Sequence, residues 1–244
     1  MNTTISSIDW DAYAMHYDVL CTLRPYAQML DTVALRTHAH GIEPMLDAGC
    51  GTGNVTHALR AHGMQHIVSI DRSPQMLARA RKKFPHGQWV GADLDAQLPF
   101  DDGSFGAVVC VNALYAVADP LRTLHEFCRV LVHNGALILV TPCHGYDNGL
   151  ILKEHCNSQE PDAHWQHAHS HERESALIAE AADDAQQAAH LHAIAAVNRA
   201  IAAHTRFHFF TDEEMRDVVR RAGFILDRHE MTYASQAHLI VATA

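Results

Sequence analysis

The sequence predicts an α/β fold, built on a mostly parallel sheet of seven strands with helices on both faces. Three observations carry this. Short apolar runs alternate with helical patterns from residue 44 to 140. The run Ala107 to Val111 is uniformly apolar, as a strand covered on both faces must be. Three glycines alternate in Gly49-Cys50-Gly51-Thr52-Gly53, where a strand gives way to a helix.

The elements follow in order. Residues 8–40 read as helical from Tyr13, Tyr17, Leu20, Leu23 and Tyr26, with Pro25 as the expected break. Pro44-Met45-Leu46-Asp47 is the first strand, and Asn54 to His62 the helix after it, ended by Gly63. His66 to Ile70 is the second strand. Ser73-Pro74 is an N-cap followed by proline in the first turn, and Met76, Leu77, Ala80 and Phe84 share one face behind it. Gln88-Trp89-Val90 is the third strand and Ala107 to Val111 the fourth. Asp119-Pro120 opens a helix with Leu121, Leu124, Cys128 and Leu131 on its apolar face, Asn134-Gly135 turns the chain, and Ala136 to Val140 is the fifth strand.

The rhythm then stops between residues 143 and 206. The alanine-rich stretch Ser175 to His204 reads as one long helix or two, with Leu191, Ile194, Val197 and Ile201 as its apolar stripe. It sits where ligands bind in open α/β sheets, so it is either packing or a lid. Thr211 and Glu214 form a capping box, Met215, Val218, Val219 and Ala222 follow, and Gly223 ends that helix. Phe224 to Glu230 and His238 to Val241 are two last strands, close enough in sequence to be antiparallel. The whole reads as one domain, 1–244, with an N-terminal helical cap (1–40) and a helical insertion (143–206).

Composition narrows the function. The formal charge of −10 argues against a nucleic-acid or anionic-membrane binder. No apolar run approaches the roughly 20 residues of a membrane span. The first residues lack a basic and apolar leader pattern, and six cysteines without a C-x-x-C pair read as reduced thiols, so the expected location is cytoplasmic. His164, His167, His169 and His171 are dense but match no defined ligand spacing, and no metal is expected.

The glycine turn does not have the G-x-G-x-x-G spacing of dinucleotide sites. Asp47 ahead of it would repel a pyrophosphate and welcome a cationic amino group. Asp71 ends the second strand, where a carboxylate accepts from both hydroxyls of a ribose, the role the Rossmann fold gives its acidic residue. Asp93 ends the third strand, placed to accept from an adenine amine, with the Leu94 amide donating to a ring nitrogen. These contacts describe a nucleoside carrying an amino acid and no phosphates, which is S-adenosylmethionine (SAM).

Over residues 40–142, and more weakly over 207–244, the chain resembles the class I SAM-dependent methyltransferases, in particular the small-molecule group of the ubiquinone/menaquinone-biosynthesis type. The resemblance implies a Rossmann-like sheet and a list of cofactor-binding residues. Asp47, Gly49, Cys50, Gly51, Gly53 and Asn54 fall in its glycine-rich motif. Asp71, with Arg72 next to it, takes the ribose position. Ala92-Asp93-Leu94 takes the adenine position, and Asn112 lies in the segment Val111 to Tyr115 that lines the donor pocket. Leu98 to Phe105 resembles the family stretch before the fourth strand. Tyr13 and Tyr17 are placed to close the pocket. The chain departs from the family at Gly106, where Asp is common, at Val132-His133-Asn134-Gly135, and at Tyr115, where many relatives have His.

Transfer from a sulfonium needs little covalent help, and positioning supplies on the order of 7–11 kcal/mol. Candidate catalytic groups are Tyr115 and His144, then Tyr146, an insertion histidine, or a Cys143-His144 pair. The expected activity is methyl transfer to a small metabolite. Two alternatives keep SAM: an intramolecular cyclisation or lyase reaction that releases methylthioadenosine, and a non-catalytic binding partner.

Overall fold

The computed structural model describes residues 8–157, 171–204 and 206–244. Seven strands form one sheet: β1 (Met45–Ala48), β2 (Ile67–Asp71), β3 (Gln88–Gly91), β4 (Phe105–Val111), β5 (Leu131–Pro142), β6 (Ile225–Thr232) and β7 (Ala237–Thr243). Their order is β3-β2-β1-β4-β5-β7-β6. β1 to β5 pair in parallel, and β7 runs antiparallel to both β5 and β6. The order reverses between β1 and β4, so their carboxyl ends open a crevice at the switch point.

Helices cover both faces: α1 (Trp10–Tyr17), α2 (Arg24–His40), α3 (Asn54–Ala61), α4 (Pro74–Lys83), α5 (Pro120–Val130), α6 (Asn148–Cys156), α7 (His171–Ala181), α8 (Ala185–Ala202) and α9 (Asp212–Arg221). Period-two alternation splits the core into two layers. On β4, Ala107, Val109 and Val111 join Tyr26, Met29 and Val33 of α2 on one face. Val108 and Cys110 join Leu124 and Phe127 of α5, and Met215 and Val219 of α9, on the other.

Two local readings differ in detail, a third is resolved between its alternatives, and one helix was not foreseen. Pro25 begins α2 instead of breaking a helix, because a first-turn proline loses no hydrogen bond; the break is the 3-10 turn Asp18–Thr22 before it. Asn134-Gly135 lies inside β5 as an irregularity, with Asn134 at φ 60, so the strand starts directly after α5. The alanine-rich stretch is two helices, because Asp184 caps α8 by accepting from the Gln187 N–H at 2.7 Å. α6 carried no sequence signal, since Ile151 and Leu152 are buried without an extended amphipathic stripe. His164, His167 and His169 lie outside the described residues.

Candidate functional site

The site begins at the turn after β1. Gly49 and Gly51 take φ values of +76 and +54, which disfavour any residue with a Cβ. At Gly49 a Cβ would also stand 2.4 Å from the Cβ of Ala113, so the turn packs directly on the segment after β4. Gly51 donates its N–H to Asp71 Oδ2 at 2.8 Å, while the Ser73 N–H donates to Asp71 Oδ1 at 2.8 Å. Each carboxylate oxygen therefore keeps lone-pair capacity after fixing the turn. Burial raises the Asp71 pKa, opposed by those two backbone bonds and by Arg72.

A cleft of about 1050 Å³, open mouth included, lies over these strand ends. Its wall contains Gly49, Gly51, Asp71, Arg72, Asp93, Leu94, Asn112, Tyr13, Tyr17 and Tyr115. The Arg72 guanidinium is 3.9 Å from Asp93 and 3.8 Å from Asp95. Asp93 accepts from the Asp95 N–H at 3.0 Å, and the Leu94 carbonyl accepts from Thr123. Asn112 stands at φ 52, and its side-chain oxygen is buried with no hydrogen-bond partner.

The other expected residues lie behind this wall. Asp47 is buried under the turn, where one oxygen accepts from the Thr56 hydroxyl at 2.6 Å and the other has no partner. Burial pushes its pKa up to about 7. Cys50 packs with Leu77, Ala80 and Trp89. Gly53 is the left-handed N-cap of α3, and Asn54 accepts from Lys83 at 2.8 Å. His144 stands outside the cleft wall, and its N–H donates to the Phe210 carbonyl at 2.7 Å.

The N-terminal elements close the cleft. Thr52 donates to Asp18 at 2.5 Å, and Lys83 reaches the same carboxylate at 2.8 Å. Ser73 donates to Asp11 of α1. The rings of Tyr13 and Tyr17 meet edge to face, 5.6 Å apart. Burial raises the pKa of Tyr13, Tyr17, Tyr115, Tyr146 and Tyr233 alike, so all five stay phenols.

Sequence reasoning missed Trp10, Asn198, Phe209 and Tyr233 on the wall. Asn198 of α8 accepts from Tyr13 and donates to Asn148. Phe209 stacks on Tyr146 at 6.1 Å and leans on Tyr115 at 5.9 Å. Ile201 of the predicted stripe also reaches the wall, so the insertion contributes to the cleft as well as to packing. Only their position beside the sheet's carboxyl edge hinted at these residues.

Residues 46–139 match a family model described as a methyltransferase domain. A malonyl-[acyl-carrier protein] O-methyltransferase of Halorhodospira halophila is 33% identical over 138 residues, covering 54% of this chain and 46% of that protein. A demethylmenaquinone methyltransferase of Clavibacter sepedonicus is 38% identical over 100 residues, covering 40% of each chain. The chain thus spans less than half the length of these two relatives. A solved structure from Thermotoga maritima, described as a SAM-dependent methyltransferase and possible histamine N-methyltransferase, shares the fold. Its TM-score is 0.60 at 17% identity, over 96% of this chain and 97% of that one. The matched segment, residues 46–139, carries the glycine turn, Asp71 and Asp93 onto one cleft, so over that segment the chain is similar to methyltransferase domains.

Proposed function

We propose that this chain methylates a small, uncharged acceptor with SAM, and that it does so mainly by positioning. The observation that carries the reading is Asp71, held by the Gly51 and Ser73 amides on a wall shared with Asp93 and the tyrosines.

The residues present fit the donor. Asp71 has the remaining acceptor capacity for a ribose diol. Asp93 and Leu94 stand at the next strand end for a base edge. The unpartnered Asn112 oxygen suits an ammonium group, a role that Asp47 cannot take from beneath the turn. When bound, the donor supplies a methyl group already activated by its sulfonium.

The chain's own contribution is enclosure and orientation. Tyr13, Tyr17, Tyr115 and Tyr146 line the cleft, where an aromatic face set against a cation is worth roughly 0.5–2 kcal/mol. Tyr115 is buried, and its raised pKa makes it a hydrogen-bond donor and not a base. No histidine or lysine lines the cleft among the described residues. The charged wall residues, Asp71, Arg72, Asp93 and Asp95, lie at the end of β2 or in the segments directly after β2 and β3. The remaining wall, including Trp10, Tyr146, Asn198 and Phe209, is neutral, which favours an uncharged acceptor. The relative named for demethylmenaquinone supports a small, uncharged acceptor.

The test is calorimetry with SAM and S-adenosylhomocysteine, then incubation of a metabolite extract with methyl-deuterated SAM. Donor binding plus a labelled product and S-adenosylhomocysteine is the expected result. Failure to bind SAM overturns the reading, and methylthioadenosine as the sole spent product overturns methyl transfer.

A further inference from the structure

Away from the cleft, three groups distant in sequence meet on the α9 side of the sheet. His238 lies on the face of β7 that also carries Ile240 and Ala242, which pack among Met215 and Val218 of α9. It is 1% exposed. His229 stands diagonally across on β6, and Asp212 is the first residue of α9. One ligand atom from each falls within 4.8 Å of the others.

The hydrogen bonds fix which lone pairs face inward. His238 Nε2 is 2.8 Å from the Phe210 carbonyl, so that nitrogen carries the proton and Nδ1 presents a lone pair. His238 Nδ1 lies 3.0 Å from His229 Nε2 and 3.6 Å from Asp212 Oδ1. Two acceptors, the His238 nitrogen and the Asp212 carboxylate, therefore face each other, and His229 Nε2–H donates to the nitrogen. His229 Nε2–H is the donor in that 3.0 Å contact, and because His229 Nδ1 has no hydrogen-bond partner, moving the ring proton to Nδ1 frees Nε2 as a ligand atom at the loss of this one bond.

We propose that Asp212, His229 and His238 form a binding site for a zinc-like divalent cation, with solvent completing the coordination at the exposed Asp212 edge. Four-coordinate zinc with bonds of about 2.0–2.2 Å sets its ligand atoms roughly 3.3–3.6 Å apart, which the measured 3.0 and 3.6 Å bracket. A ligating imidazole that gives its other N–H to a backbone carbonyl is the arrangement such sites use. Two nitrogens and one carboxylate suit a borderline ion and not magnesium or calcium, which prefer all-oxygen sets. Positions 212, 229 and 238 have no short ligand spacing, so no local pattern announces this site. The Phe210 carbonyl accepts from both His144 and His238, one residue from Phe209 in the cleft wall. An ion here fastens the start of α9 to β7 directly behind that aromatic.

The test uses the full chain, stripped with a chelator and titrated with cobalt(II), whose four-coordinate complexes absorb strongly in the visible. Wild type is expected to take up one equivalent with such a band, displaced by zinc. His229→Gln and Asp212→Asn, both at positions with solvent access, are expected to lose the band or to bind about tenfold or more weakly. Circular dichroism confirms that both variants are folded. No band in wild type overturns the proposal. So does a band of unchanged affinity in both variants, which would place the metal elsewhere, such as the histidines of 164–171.

Discussion

The Tyr13 hydroxyl donates to Asn198 Oδ1 at 3.0 Å, joining α1 to α8 across 185 positions of sequence. The same amide reaches Asn148 at 3.1 Å and Tyr146 at 3.4 Å. One insertion side chain thus ties together the N-terminal cap and the segment after β5. Asn198→Ala leaves three buried or half-buried polar groups short of a partner, at about 1–3 kcal/mol. The expected outcome is a lower melting temperature and a loss of about tenfold in kcat/KM, with SAM affinity changed little. A large loss of SAM affinity would show that Asn198 serves the donor.

Asp71 makes the opposite prediction. Its carboxylate is anchored by two backbone N–H groups and faces the cleft. Asp71→Asn preserves shape but removes the charge and turns one acceptor into a donor. Hydrogen bonds to charged groups contribute about 1.5–3 kcal/mol, so SAM binding is expected to weaken by about 10–100-fold. Calorimetry reads this directly. Because the Gly51 turn leans on the same carboxylate, a melting curve for the variant separates lost binding from lost structure.

Burial holds Tyr115 as a phenol, and His144 stands outside the wall. The kcat profile between about pH 6 and 9 is therefore expected to show no limb owed to either residue. Tyr115→Phe should keep activity within about fivefold, and His144→Gln should change it less, as measured with saturating donor and a labelled acceptor. A loss of a hundredfold in either variant, with the pH limb altered, would restore that residue as a base.

The sequence was legible where a local mechanism acts. Caps with a local mechanism appeared where expected: Ser73 accepts from Met76, Asp119 from Arg122, and Thr211 from Glu214. Each depends on residues within three positions, so one-dimensional spacing encodes it. Asp71 and Asp93 were legible for a related reason, since strand ends in a parallel sheet share an edge. Asp47 shows the limit. Its charge suggested a ligand contact, but its place in β1 points it beneath the turn to Thr56. Asn198, Phe209 and Tyr233 reach the cleft only through tertiary packing of an irregular insertion and a hairpin turn, which no local period announces.

Asp47 supplies the last prediction. Burial lifts its folded pKa from the ordinary carboxylate value of 3.8 to about 7. Between about pH 4 and pH 7 the unfolded chain has lost this proton while the folded chain keeps it, so stability from this group falls as pH rises through that window and levels off above it. Asp47→Asn removes the titration. The amide oxygen still accepts from Thr56, but its NH2 takes the position of the unpartnered oxygen, so the uncharged cost remains. The variant should therefore gain no stability over wild type near pH 4.5 and gain about 1–3 kcal/mol relative to it by pH 8. Urea unfolding of both proteins at the two pH values measures the difference, in which the contributions of other carboxylates cancel. A difference independent of pH would mean that Asp47 is ionised throughout, held by a cation or a water molecule that compensates its buried charge.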